Sequence, residues 1–141
     1  MRFLKDALTG ITVLIIITLI AMAAAPSLSD GNVTPQTGDT ATTFNFSVTF
    51  TDLDNDTAEY VKVIIDGTEE YELSEADPTD TNTTDGKGYS RGINEFASGT
   101  HTYNFTAADA NDTAELLEGG TFTVTEAVVA PSVIELSLIH I

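Results

Sequence analysis

Carboxylates occupy alternate positions in the run DLDND at 52–56: Asp52, Asp54 and Asp56. Calcium takes roughly six to eight oxygen ligands, and a turn with three carboxylates plus its own carbonyls can offer them. The run is not an EF-hand loop, because Thr57 stands where that loop needs glycine and Val63 where it needs the bidentate glutamate. Asp52, Asp54 and Asp56 are therefore the metal expectation, with calcium as the ion. The plainer reading is a solvated acidic turn of Asx type. A second acidic corner offers Asp109, Asp112 and Glu115 as a lesser set.

Other chemistries lack their parts. The chain has no cysteine, which removes thiol nucleophiles, thiolate metal sites, disulfides and a lipoprotein anchor. Outside the last six residues the one histidine is His101, so neither a zinc site nor a Ser/Cys–His arrangement can be assembled. In Gly99-Thr100-His101-Thr102-Tyr103 it falls on the inward face, two residues after a glycine, and reads as a hydrogen-bonded corner residue. Asp85-Gly86-Lys87-Gly88 has closely spaced glycines without the strand–helix context of a phosphate loop. Paired carboxylates in turns, with no pocket implied, make a poor glycosidase. The expectation is a non-enzyme with no cofactor beyond calcium.

Six of the seven asparagines begin an Asn-x-Ser/Thr triplet: Asn32, Asn45, Asn55, Asn82, Asn104 and Asn111. Such triplets accept N-linked glycans when they sit on the surface of an exported protein. Outward-facing Asn and Thr chosen for solvation is the competing explanation. The formal net charge of −17, from 22 acidic and 5 basic residues, opposes binding to nucleic acid phosphates or anionic lipid. It suits divalent cations, or high salt that screens self-repulsion. Little lysine with abundant Asp, Glu and Thr also resembles the composition of proteins from salt-loving microbes.

Strands must position these residues. Phe44, Phe46, Val48 and Phe50 alternate with Asn45, Ser47, Thr49 and Thr51, the period of a strand with one face in a core. Val61, Val63 and Ile65 form a second such run, ending at Asp66-Gly67, and His101, Tyr103, Phe105 and Ala107 a third. Shorter strands are expected at 32–35, 68–73, 89–96 and around Phe122 and Val124, with a long polar loop at 74–88. Seven or so short strands separated by turn signals predict an all-β, two-sheet sandwich of immunoglobulin type.

Residues 1–25 begin with Arg2 and Lys5, continue through an apolar run and end in small residues. That pattern is expected to be a helical signal peptide cut near Ala24, or else an uncleaved signal anchor, and it is the only membrane contact expected. The sandwich is expected over 26–129. Ala25-Pro26-Ser27-Leu28 recurs as Ala130-Pro131-Ser132-Val133, about one sandwich length later. Residues 130–141 accordingly read as a linker and the start of a cut-off next repeat, whose LSLIHI tail resembles translated library-adapter sequence. A further internal likeness links NFSVTFTDLDNDTAE at 45–59 with NFTAADANDTAE at 104–115. Two equivalent strand-to-turn corners of shared composition account for it.

The segments SGTHTYNFTAAD (98–109) and FSVTFTDLDNDTAEYVKVIIDG (46–67) together resemble the immunoglobulin-like repeats of prokaryotic, especially archaeal, cell-surface proteins, near the PKD and fibronectin type III groups. In related PKD repeats a tyrosine commonly follows the corner glycine, where His101 stands here. The resemblance implies tandem arrays that serve as stalks, spacers or adhesion modules on cell envelopes, and it assigns no catalytic residues. The expected partners are neighbouring repeats, other surface proteins and glycans, at an extracellular location. Two rival readings are a calcium- or carbohydrate-binding adhesin module and the accessory domain of a larger surface hydrolase.

Overall fold

The structure, a computed structural model, describes residues 23–130. Nine strands follow one another: β1 Ser27–Thr34, β2 Thr37–Asp39, β3 Phe44–Thr51, β4 Tyr60–Ile65, β5 Glu69–Glu72, β6 Ser74–Glu75, β7 Lys87–Ile93, β8 Gly99–Ala108 and β9 Leu117–Thr125. The period-two runs become β3, β4 and β8, and their apolar members are buried. The expected seven strands become nine because β2 and β6, of three and two residues, are too short to show alternation. The loop expected at 74–88 is shortened at both ends, since β6 takes Ser74 and Glu75 and β7 begins at Lys87 rather than Tyr89. The expected signal or anchor helix within 1–25 lies almost wholly outside the described residues, as does the cut-off repeat at 131–141.

The strands pair into one sheet of order β1-β3-β7-β6 and another of order β2-β9-β8-β4-β5. Apart from the short parallel pair β2–β9, the ladders are antiparallel. The first sheet has the order of the ABED sheet of an immunoglobulin constant-type sandwich, and the second contains its CFG strands. Phe44 and Phe46 of β3 pack on Phe122 of the opposite sheet, and Phe50 and Phe105 share the same core; all five are at most 1 % exposed. Phe122 is a hub, with ring centroids 4.9 Å from Phe44, 5.4 Å from Phe46 and 4.9 Å from Phe96.

Two glycines are required by geometry. Asp66 and Gly67 take φ of +50° and +73°, the left-handed pair of a tight hairpin turn, and join β4 to β5. At Gly119 an added Cβ would lie 2.1 Å from Cε2 of Tyr103, because a register shift after Tyr103 lays that ring across the glycine. A β-bulge there turns the ring without breaking the sheet.

Register also fixes the direction of travel. Ser27 of β1 pairs with Thr51 at the end of β3, and Leu117 of β9 pairs with Phe105 near the end of β8. At the other end Thr34 pairs with Asn45, and Thr125 lies beside Asp39. The chain therefore enters at one end of the sandwich and leaves at the opposite end.

Candidate metal centre

Both corners that lead out of the long central strands reach the end where the chain enters. Asp52 immediately follows β3 and ties its own loop. Its Oδ1 accepts the amides of Asp54 at 2.9 Å and Asp56 at 3.0 Å, and its carbonyl accepts the amide of Asn55 at 3.2 Å. Asn55 sits at φ +63°, a region that asparagine tolerates, and this turns the chain back on itself. Its Oδ1 accepts the amide of Thr83 at 2.9 Å, while Thr83's carbonyl receives the Asp52 amide at 3.1 Å. The long 76–86 loop is thereby stitched to the acidic turn through a fully buried threonine. Lys87, also buried, anchors the base of that loop with Nζ 2.6 Å from the Asp80 carbonyl and 2.9 Å from Glu75 Oε1.

Asp109 repeats the pattern after β8. Its Oδ1 accepts the amides of Asn111 and Asp112, each at 2.7 Å, and its own amide donates to the Asp112 carbonyl at 3.0 Å. The amides of Asp112 and Asn111 hold the Asp109 carboxyl below the usual carboxylate range. Asp52 is wholly buried and Asp109 is 3 % exposed, and the Oδ2 of each has no hydrogen-bond partner. Ligand oxygens of Asp52, Asp56 and Asp109 all lie within 4.8 Å of one another. Asn111 Nδ2 donates to Asp56 Oδ2 at 3.1 Å and bridges the two corners.

The likeness between 45–59 and 104–115 thus marks two corners that meet face to face. The recurring NDTAE at 55–59 and 111–115 is the sequence signal that relates the two turns, and it brings Asp109 level with Asp52. Asp52 and Asp56 fall within the cluster. Asp54 does not: it is exposed, and its Oδ2 accepts the backbone amide of Ala24 in the segment leading into β1. Asp112 and Glu115 are exposed and lie outside the group.

Charge makes the cluster unusual. At an effective dielectric of about 20, two unit charges 4.8 Å apart repel by about 3.5 kcal/mol, and a set of three contains three such pairs. That is a large burden against a typical stability of about 5–15 kcal/mol. The basic side chains of the described residues are committed elsewhere. Lys62 pairs with Glu70, Lys87 with Glu75 and His101 with Asp66, while Arg91 donates to the Glu72 carbonyl.

His101 lies at the far end and is the corner residue its position predicted. Nδ1 is 2.7 Å from Asp66 Oδ2, Nε2 is 2.9 Å from the Ala97 carbonyl, and the ring stacks on Phe122 at 5.2 Å. The Ala97 carbonyl, then Asp66, raise the His101 pKa, and His101 lowers that of Asp66. Of the asparagines in Asn-x-Ser/Thr triplets, Asn32, Asn45, Asn55, Asn82 and Asn111 are exposed and Asn104 is half-buried.

No family model and no curated protein matches the sequence. Among solved structures, the chain is similar to the PKD domain of an M14-like peptidase from a Thermoplasmatales archaeon, at 18% identity and a TM-score of 0.48, covering 75% of this chain and 99% of that one. It is also similar to the CARDB domain of a Pyrococcus furiosus protein in complex with di-metal ions, at 15% identity and a TM-score of 0.47, covering 73% and 96%.

Proposed function

We propose that this chain is a non-catalytic module of an exported cell-surface protein, a folded spacer that carries the polypeptide from one end of a sandwich to the other. The observation that carries this reading is the placement of Ser27 and Thr125 at opposite ends of the strands. A module threaded in this way adds its full length to a string of domains. At about 3.3 Å per residue, the nine residues of β9 give about 30 Å per module.

Three further features support the reading. Both ring nitrogens of His101 are committed to Asp66 and Ala97, so it is not free to act as a general base. Exposed Asn-x-Ser/Thr triplets lie on both the strands and the loops, where glycans would coat the module without entering its core. The acidic surface keeps such modules apart from one another and from anionic membranes.

Export is tested by expressing the full chain in an archaeal host with a C-terminal epitope. Protease added to intact cells should remove the epitope. Protection until the cells are lysed would overturn the extracellular assignment.

A further inference from the structure

We propose that Asp52, Asp56 and Asp109 bind a single hard divalent cation of the calcium class, which clamps the β3–β4 and β8–β9 corners together at the end where the chain enters. Each of the two buried carboxylates spends Oδ1 on two amides of its own loop, which leaves Oδ2 unpartnered. An ionised carboxylate oxygen withdrawn from water requires a donor or a cation. Here the two carboxylates that carry such oxygens share one small space with a third.

Size agrees with the ion. Ligands held at about 2.3–2.6 Å from calcium can lie no farther apart than about 5.2 Å, twice the longer bond. The three carboxylate oxygens lie within 4.8 Å of one another, inside that span. The donor set selects chemistry as well as size. It consists of carboxylates with no histidine or cysteine, which suits calcium and disfavours zinc and copper. Two of the three ligands are positioned before any ion arrives, since amide bonds fix the Asp52 and Asp109 carboxylates in their turns. The third, Asp56, is steadied by Asn111 from the opposite corner. The site therefore spans two sheets and three loops, because the Asp52 turn also holds Thr83.

Binding has a mechanical consequence. Asp54, whose amide is held by Asp52 Oδ1, grips Ala24 in the segment that leads into β1. A cation that stiffens the turn also stiffens the attachment of whatever precedes the sandwich.

The test is thermal unfolding of the full chain, first with chelator and then with about 10 mM calcium chloride, at matched ionic strength. Extracellular modules bind calcium with dissociation constants of about 0.1–1 mM, so linkage predicts a rise in Tm of about 6–11 °C. Asp109→Asn keeps an oxygen for the Asn111 and Asp112 amides. It should fold, melt without calcium at or above the wild-type temperature, and lose the calcium response. Asp54→Asn should keep the response in full. If Asp109→Asn fails to fold, Asp56→Asn carries the test, with calcium affinity falling about tenfold or more. A wild-type rise below about 2 °C overturns the proposal. An equal rise in Asp109→Asn, or in Asp56→Asn should that variant carry the test, also overturns it, since the ions would then be acting on the surface at large.

Discussion

Raising the pH through the titration of His101 should weaken the fold by an amount set by two hydrogen bonds. Both ring nitrogens face oxygen acceptors, Asp66 Oδ2 at 2.7 Å and the Ala97 carbonyl at 2.9 Å, and only the imidazolium can donate to both. The folded-state pKa of His101 is raised, so its stabilisation is complete below the ordinary value of about 6.5 and is lost as pH rises through the folded value. The folded-state pKa of Asp66 is lowered, so its share is present above the ordinary value and is lost as pH falls through the lower folded one. The pair therefore contributes most between about pH 4 and 6.5. Asp66 is 47% exposed, which discounts that bond for solvent screening, whereas the histidine side chain is only 15% exposed. Losing one of the two bonds then costs about 1 kcal/mol, or about 4 °C in Tm for a domain near 100 residues. Urea unfolding followed by circular dichroism, at about pH 5.5 and about pH 8.5, measures the difference. His101→Phe keeps the stack on Phe122 and removes the titration, so its stability should be the same at both values. An equal fall in wild type and variant would refute the reasoning, and would place the pH dependence in the general acidic charge.

Core and loop substitutions test the packing. Phe122→Ala removes the hub of the aromatic cluster and should cost about 3–5 kcal/mol in urea unfolding, with the m-value unchanged. Gly119→Ala forces the Tyr103 ring aside and should lower stability by about 1–3 kcal/mol; an unchanged midpoint would mean that the ring does not lie across that glycine. Lys87→Met removes the anchor at Asp80 and Glu75, so limited proteolysis should cut within 76–86 faster than in wild type while the rest of the sandwich stays intact.

Much of the frame was legible because period-two burial leaves a direct mark on sequence. Phe44 to Phe50, Val61 to Ile65 and Tyr103 to Ala107 alternate as the buried faces of β3, β4 and β8, and Asp66-Gly67 names its own turn. The metal centre was only partly legible. Alternate spacing puts Asp52, Asp54 and Asp56 on one face only if the chain stays extended. The left-handed Asn55 ends that extension, and Asp54 swings outward to Ala24. Asp109 joins through the packing of one sheet on another, which no local pattern encodes. Lys87 was hidden for a related reason. A lysine beside a Gly-rich polar loop reads as solvated, whereas here the loop folds back and supplies it with acceptors.

The spacer account depends on the distance the chain covers in crossing the module. The natural sequence contains no cysteine, so Ser27→Cys and Thr125→Cys, both at exposed positions, can be spin-labelled without competing sites. Pulsed electron resonance on the labelled full chain should give a narrow distribution centred at about 30 Å, the length of a strand the size of β9. A distribution centred at half that distance or less would place both ends on the same side of the sandwich and contradict the spacer reading.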